Sequence, residues 1–284
     1  MALSGVVAVV GATGQQGGAT AQALLSADVS VRALVRNPDK PAAQALAAAG
    51  AQLVIADFDD PASLQTAFEG ISRVFAMTTM TSGRGTAGEI NDGILIADAA
   101  KAAAVEHFVY SSVGGAERHT GIPHFESKRR VEEHIENLGL PSTFVRPTFF
   151  YDNLLSQSPA PEDGTIVVRL PMPDGVPLQM VAVNDIGAVA AAVLIDPSRV
   201  PAGAVEIAGD ELTGSQIADV FGRRAGLPAR FEALPPAAAG DDDLRAMFSW
   251  FATPPSYRAD RALTAELDPH LQTFEQWLAQ HWTP

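Results

Sequence analysis

The stretch VVAVVGATGQQGG, residues 6–18, decides the fold. It opens with an unbroken apolar run, which is typical of a strand buried on both faces of a parallel sheet. Glycines follow at positions 11, 14 and 17, and a helical pattern begins at Gln15. Glycines between a buried strand and a helix allow a tight turn and a close approach of the backbone to a pyrophosphate, while the helix N-terminus offers free N–H groups. The stretch therefore predicts a dinucleotide-binding turn; the alternative is a glycine-rich turn without a ligand.

Short β-rich runs alternate with Ala-rich helical stretches through the rest of the first half. We predict further strands at residues 29–35, 53–55, 74–77, 107–110 and 143–146. The predicted helices cover residues 15–26, 38–49, 63–68, 90–104 and 125–138. Strands and helices that alternate in this way form βαβ crossovers. The sequence thus predicts an α/β protein with a doubly wound parallel-sheet Rossmann fold.

The pattern changes after Pro147, where Pro, Asp and Gly become frequent and the elements become shorter. The pattern first contains a strand-like run at 165–170, an apolar run at 179–183 and a helical pattern at 185–195. Short elements follow at 204–208, 215–225, 241–251 and 273–281. We therefore predict a Rossmann domain at residues 1–155, with a return segment at 179–197. Residues 156–178 and 198–284 are predicted to form a smaller C-terminal α+β subdomain, in which residues 233–243 are a linker or lid candidate.

Composition excludes several classes of function. The 19 Lys and Arg against 33 Asp and Glu give a net charge of −14, which disfavours direct binding to nucleic acid because a basic face is needed there. The chain has no cysteine, so it has no disulfide scaffold, thiolate zinc site or Cys nucleophile. No apolar run approaches the roughly 20 residues of a membrane span. There is no H-E-x-x-H motif, and His124 and His134 are ten residues apart, which does not place them on one helical face, so no metal site is predicted. We expect a cytoplasmic protein without a signal peptide, membrane segment or metal.

The residues that follow the second and third predicted strands bear on the choice of dinucleotide. Arg36 stands nineteen residues after Gly17, where an acidic residue would bind the ribose 2′-OH of NAD. A guanidinium pairs instead with a 2′-phosphate, so NADP(H) is favoured over NAD(H), with Lys40 close by. The alternative is that Arg36 is a solvated surface charge. Asp57 and Phe58 follow the third strand as an adenine-contacting pair or, equally well, as the turn that begins a helix.

The spacing G-x-x-G-x-x-G is similar to that of the extended and atypical short-chain dehydrogenase/reductases, which usually employ a Ser, a Tyr and a Lys, the last two as Y-x-x-x-K. Ser111 follows the fifth predicted strand and Lys128 lies in the next helix, but His124 occupies the tyrosine position. His124 is a proton donor or a helix N-terminal residue without a role, and the sequence favours the second interpretation. Lys128 contacts the nicotinamide ribose or acts as a base; the alternative is a surface lysine.

Six stretches extend the likeness over nearly the whole chain: GATGQQGG (11–18), ALVRNPDK (33–40), FVYSSVGGA (108–116), HFESKRRVEEHI (124–135), RPTFFYDNLL (146–155) and FEQWLAQHW (274–282). Together they resemble the NmrA-like family, and within it the NADPH-sensing branch. The resemblance implies NADP(H) binding with weak or no catalysis, and places Phe150 and Tyr151 near the nicotinamide. The predicted cofactor-binding residues are Gly11, Thr13, Gly14, Gln15, Gln16, Gly17, Arg36, Lys40, Asp57, Phe58, Thr78, Ser111, Lys128, Phe150, Tyr151 and Asn153.

Two functions stay open at this stage. One is a redox sensor that changes shape or protein partner when NADPH binds; the other is a reductase of quinones or of small carbonyl or phenolic substrates. The absence of tyrosine at position 124 favours the sensor, whereas Tyr151 as a replacement proton donor would favour the reductase. The catalytic candidates are therefore Lys128, His124 and Tyr151. The sequence leaves the oligomeric state open, with a dimer among the alternatives.

Overall fold

The structure is a computed structural model that describes residues 5–155, 159 and 161–284. Its strands are β1 (Val6–Val9), β2 (Ser30–Val35), β3 (Gln52–Ile55), β4 (Ile71–Met77), β5 (His107–Ser111), β6 (Ser142–Pro147), β7 (Phe149–Phe150), β8 (Pro161–Glu162), β9 (Thr165–Leu170), β10 (Leu178–Val181), β11 (Ala204–Ile207), β12 (Asp210–Leu212) and β13 (Ala229–Ala233). Its α-helices are α1 (Gln15–Ser26), α2 (Pro41–Ala48), α3 (Pro61–Phe68), α4 (Gly85–Ala102), α5 (Pro123–Asn137), α6 (Asp152–Leu155), α7 (Val183–Ile195), α8 (Gly214–Ala225), α9 (Asp242–Phe251), α10 (Arg261–Leu267) and α11 (Phe274–His281).

A seven-stranded parallel sheet forms the centre, in the order β11-β6-β5-β4-β1-β2-β3. The order reverses beside β1: α1 and α2, which follow β1 and β2, pack on one face of the sheet, and α4 and α5, which follow β4 and β5, pack on the other. The carboxyl ends of β1 to β5 therefore lie along one edge, which is where ligands of open α/β sheets bind. This arrangement confirms the predicted α/β Rossmann-like fold.

The two faces of the sheet have separate apolar cores, because side chains alternate along each strand. Val7 and Val9 of β1 point into a core shared with α1 and α7, while Ala8 points into a second core beneath α3, α4 and α5. Helices α1 and α7 approach so closely that a Cβ at Gly187 would overlap the backbone of Ala19. The return helix α7 is thus a layer of the Rossmann core.

A third apolar core fills the C-terminal part, where two small three-stranded sheets, β12-β10-β7 and β13-β9-β8, pack with α8, α9 and α11. The division of the chain differs from the predicted one at residues 204–207. That strand, assigned from sequence to the subdomain, is β11, and it pairs in parallel with β6 at the edge of the central sheet. Residues 156–158 and 160, at the start of the predicted subdomain, lie outside the described residues.

No helix in the described part of the chain is long and apolar enough to cross a membrane.

Candidate functional site

The glycine turn joins β1 to α1 in a conformation that side chains would obstruct. Gly11 has a φ of 69°, in the left-handed region that favours glycine, and its carbonyl accepts the N–H of Gly14 at 2.8 Å. A Cβ at Gly17 would overlap the Gly11 carbonyl, so only glycine lets the helix pack this closely. The sequence therefore forms a turn whose backbone is open to a ligand.

The N-terminus of α1 is uncapped. Gly14 is the N-cap, in an extended conformation, and neither a side-chain cap nor an acidic residue is present in the first turn. Thr13, Gly14 and Gln15 are exposed, while Gln16 is half-buried. The backbone N–H groups and the positive end of the helix dipole are thus available to an anion such as a pyrophosphate.

Arg36 and Lys40 lie beyond the end of β2, next to the glycine turn in the sheet order. Both side chains are exposed, and neither forms an ion pair with any described residue. The guanidinium of Arg36 is therefore free to pair with a phosphate.

Asp57 and Phe58 follow β3 and begin the turn into α3. Asp57 accepts the N–H of Asp59 at 3.1 Å and donates its own N–H to the Ser63 hydroxyl at 2.9 Å, while Asp60 caps α3. Phe58 is half-buried against the apolar core on the α3 side of the sheet. The local geometry fits the helix-initiating interpretation, and a contact with adenine stays a prediction.

A buried polar cluster lies at the carboxyl ends of β4 and β5. The Lys128 ammonium of α5 donates to the carbonyl of Thr78 at 2.6 Å and to the carbonyl of Ser111 at 3.3 Å, and it pairs with Glu89 of α4 at 3.1 Å. Lys128 is buried, with 8% of its surface exposed, so the alternative of a solvated surface lysine does not hold. Its three N–H donors all have partners in the protein.

Glu89 was not singled out from the sequence, although it is the anion that balances Lys128. Its carboxylate also accepts hydrogen bonds from the hydroxyls of Ser127 at 2.5 Å and Thr78 at 3.4 Å. The only sequence signal is that Glu89 stands among the small and apolar residues of the buried face of α4, where Asp92 is a second buried acid. A buried carboxylate with these partners holds α4, α5 and the end of β4 together.

Ser111 connects this cluster to the glycine turn, and Ser112 follows it in the chain. The Ser111 hydroxyl donates to the side-chain oxygen of Gln16 at 2.5 Å, which joins the end of β5 to the first turn of α1. The Ser112 hydroxyl is buried and has no hydrogen-bond partner among the described residues. An unpartnered buried hydroxyl at this edge of the sheet leaves one donor for a ligand.

His124 lies one helical turn before Lys128, at the start of α5. Its Nδ1 is 2.5 Å from a carboxylate oxygen of Asp243 in α9, and its backbone N–H donates to the other oxygen at 2.9 Å. Burial would raise the pKa of Asp243, but the hydrogen bond and charge of His124 outweigh burial and lower it. Because an ionised carboxylate only accepts hydrogen bonds, Nδ1 carries a hydrogen. The sequence favoured the interpretation that His124 has no role, and no sequence feature identified Asp243 as its partner.

Tyr151 and its neighbours lie apart from this cluster. Tyr151 is fully buried against Phe274 and Trp277, and its hydroxyl donates to the carbonyl of Gln272 at 3.1 Å. Burial, reinforced by the charges of nearby acids, raises the pKa of the Tyr151 phenol far above its ordinary value. The structure therefore disfavours Tyr151 as a replacement proton donor. Phe150 is half-buried and packs against the α1 side of the sheet, and Asn153 is exposed in α6.

Among the described residues, no group of three or more His, Asp or Glu side chains could hold a metal ion.

The chain matches the model of the NmrA-like family over residues 4–278. The NmrA-like family domain-containing oxidoreductase FrzB of Cladobotryum sp is 33% identical, and the match covers 58% of this chain and 56% of FrzB, just over half of its length. The NAD(P)H azoreductase of Xenophilus azovorans is 29% identical, with 81% of this chain and 77% of that protein covered.

Two solved structures have a similar fold. NmrA, a negative transcriptional regulator in complex with NADP, superposes with a TM-score of 0.83 at 24% identity, covering 98% of this chain and 95% of that one. The Escherichia coli NADPH-dependent quinone oxidoreductase QOR2, complexed with NADPH, gives a TM-score of 0.80 at 25% identity, covering 97% and 99%. The likeness to NmrA, at this identity, shows the fold alone. The predicted family and fold are confirmed.

Proposed function

Because the chain belongs to the NmrA-like family, we propose that it binds NADP(H) at the glycine turn and reduces quinones and related conjugated acceptors. The observation that supports cofactor binding is the uncapped N-terminus of α1, which lies at the same sheet edge as the guanidinium of Arg36, for which the described residues provide no ion-pair partner. The helix N-terminus can bind a pyrophosphate, and the guanidinium can bind a 2′-phosphate.

The residues at this edge fit a dinucleotide. Gly14 leaves the space beside the turn open to a pyrophosphate. Apart from its chain neighbours, the one atom of the described residues within 4 Å of a Cβ built there is the Gly11 carbonyl oxygen, at 3.3 Å. The first-turn N–H groups of Gln15 and Gln16 would bind the pyrophosphate, and Arg36 would bind the 2′-phosphate of NADP(H). The buried hydroxyl of Ser112 is a further unpartnered donor among the described residues. No acidic side chain caps the turn to repel phosphate.

The comparisons support reduction over regulation alone. The relatives and structures at 25% identity or more include an azoreductase and a quinone oxidoreductase, whereas the likeness to the NmrA regulator at 24% concerns the fold. A bound reduced dinucleotide supplies a hydride. Quinones suit this site because the product of hydride addition is a stabilised phenolate, which solvent can protonate.

Redox sensing without turnover is the second candidate, and one observation favours it. The Lys128 ammonium donates to Thr78 and Ser111 and pairs with Glu89, so no N–H donor is left for a ribose or a substrate. In this arrangement Lys128 positions the ends of β4 and β5 and does not act as a base. Slow or absent turnover with tight NADPH binding is what this candidate requires.

The test is oxidation of NADPH by the purified protein with menadione as acceptor, alongside NADH. We expect menadione-dependent oxidation of NADPH, with a lower KM than for NADH. The control is Gly14→Val, which should fold but lose cofactor binding and turnover, because a branched side chain would stand where the pyrophosphate lies. Tight NADPH binding without oxidation would contradict the reductase and leave the sensor; wild-type turnover by Gly14→Val would contradict the glycine turn as the cofactor site.

A further inference from the structure

The pair of His124 and Asp243 joins the two parts of the molecule beside the proposed site. His124 lies in the first turn of α5, which runs back from the carboxyl edge of the central sheet, and Asp243 lies in the first turn of α9 in the subdomain. Their sequence positions are 119 residues apart. Asp243 belongs to the segment that the sequence marked as a linker or lid candidate, so the subdomain contributes a charged group to this edge.

Both oxygens of Asp243 are used to fix His124. One accepts the backbone N–H of His124 at 2.9 Å, and the other accepts Nδ1–H at 2.5 Å. The ring also packs edge-on against Phe125, with centroids 4.7 Å apart. The imidazole is therefore held in one orientation and, when neutral, in one tautomer, with its hydrogen on Nδ1.

The second ring nitrogen is left for chemistry. Nε2 has no hydrogen-bond partner among the described residues, and 20% of the His124 side chain is exposed. His124 and Lys128 are four residues apart, so they share one face of α5. Lys128 on that face reaches the ends of β4 and β5. His124, one turn earlier, lies in the first turn of α5, the end of the helix that follows the carboxyl end of β5 in the chain.

We propose that His124 in its imidazolium form, held by Asp243 through Nδ1, donates the proton from Nε2 to the acceptor during reduction. The proposal rests on the proposed reductase function and extends it to acceptors whose reduced form is a strong base. His124 is the proton donor, and Asp243 is a positioning residue that keeps the ring in place.

The chemistry distinguishes two classes of acceptor. When hydride adds to one nitrogen of an azo group, an N–H bond forms there and the π electrons move to the second nitrogen. That nitrogen takes the proton from Nε2 as the Nε2–H bond breaks, giving a hydrazine and a neutral imidazole that solvent reprotonates. A hydrazide anion is a far stronger base than a phenolate, so azo reduction needs the acid while quinone reduction does not.

The experiment compares two acceptors, methyl red and menadione, in variants of the intact protein. His124→Gln removes the donor and Asp243→Asn removes its support. The matched controls are His134→Gln in the same helix, whose ring pairs with Asp98 at the surface, and Asp242→Asn, the exposed neighbour of Asp243. The kcat and KM for NADPH-dependent bleaching of methyl red and for reduction of menadione are measured for each protein.

We expect His124→Gln to lower kcat for methyl red roughly 10²-fold with little change in KM, and kcat for menadione by less than about 5-fold. Asp243→Asn should have the same pattern, and both controls should match the wild type. Equal losses for the two acceptors, a wild-type rate in His124→Gln, or no bleaching by a wild-type protein that reduces menadione would each overturn the proton donor and leave the proposed reductase standing. No turnover of either acceptor would overturn the reductase itself and this role with it.

The ring nitrogens of His124 give a readout that does not depend on turnover. Nitrogen-15 spectra of the cofactor-free protein should show the neutral ring protonated at Nδ1. In Asp243→Asn, the amide oxygen should keep the backbone N–H, which leaves the amide nitrogen to donate to Nδ1 and moves the hydrogen to Nε2. A ring protonated at Nε2 in the wild type, or the same tautomer in both proteins, would overturn the positioning role of Asp243 even if turnover is lost.

Discussion

Removing either partner of the buried ion pair between Lys128 and Glu89 should destabilise the protein strongly. Lys128→Met keeps an apolar stem but removes the ammonium, and leaves the Glu89 carboxylate, which is only 1% exposed, with two hydroxyl donors. Glu89→Gln leaves the ammonium with the carbonyls of Thr78 and Ser111. An uncompensated buried charge costs about 3–5 kcal/mol, so each single variant should lose free energy of unfolding on that scale.

The double variant Lys128→Met/Glu89→Gln separates this effect from simple repacking. Because both charges are then absent, it should cost at least about 2 kcal/mol less than the sum of the single variants. Urea unfolding followed by tryptophan fluorescence measures all three, and Lys101→Met, an exposed lysine of α4, is the control and should change stability by less than about 0.5 kcal/mol. Additive losses, or single variants that cost below about 1 kcal/mol, would refute the buried pair as a structural element.

Three further predictions follow from the site and the core. Arg36→Ala should weaken NADPH about 10-fold and leave NADH unchanged in calorimetric titrations, since only the 2′-phosphate contact of an exposed guanidinium is lost; equal losses would remove Arg36 from the site. Gly17→Ala should cost about 1–3 kcal/mol in thermal unfolding, because its Cβ would overlap the Gly11 carbonyl, whereas Gly18→Ala, with its Cβ 3.3 Å from the Ala12 carbonyl, should stay within about 1 kcal/mol; a reversed order would contradict the packing argument. Burial raises the pKa of Asp185 from 3.8 to about 7. The hydrogen bond from the Gln272 N–H lowers this pKa by a smaller amount, and the charge of Asp268 raises it further. The folded state therefore binds this proton more tightly than the unfolded state, and stability falls as pH rises from about 4 to 7, by of the order of 4 kcal/mol. Asp185→Asn should remove that fall between about pH 4 and pH 7 in unfolding measurements, and an unchanged slope would show that other groups cause it.

The central sheet could be predicted because its signals are local. The apolar run before Gly11 and the alternation of strands and helices need no distant partner to be recognised, and the predicted helix at 15–26 coincides with α1. Strand β11 was assigned to the subdomain because its four residues follow the change of pattern, and only pairing with β6 places it in the central sheet. Helix α10 was missed, since it is seven residues long and is defined by its Asp260 cap and by burial of Leu267.

The proposed cofactor-binding part of the site could be predicted from the sequence, whereas the partners of Lys128 and His124 could not. The glycine turn and Arg36 have positions fixed by the order of strand, turn and helix, so the sequence alone brings them to one edge. The two side-chain pairs, of Lys128 and of His124, depend on contacts between distant parts of the chain. Glu89 and Lys128 are 39 residues apart in the sequence (128 − 89), and His124 and Asp243 are 119 residues apart. Nothing local marks such partners, because an acidic residue in a helix is usually solvated.

The most direct test of the account is a single-turnover experiment in which protein saturated with NADPH is mixed rapidly with menadione. The account predicts that nicotinamide absorbance falls in a menadione-dependent phase, and that the phase slows when the transferred hydrogen of NADPH is replaced by deuterium, because hydride transfer to the acceptor is the reaction proposed. A nicotinamide absorbance that does not change on mixing, in protein shown to bind NADPH, would contradict it.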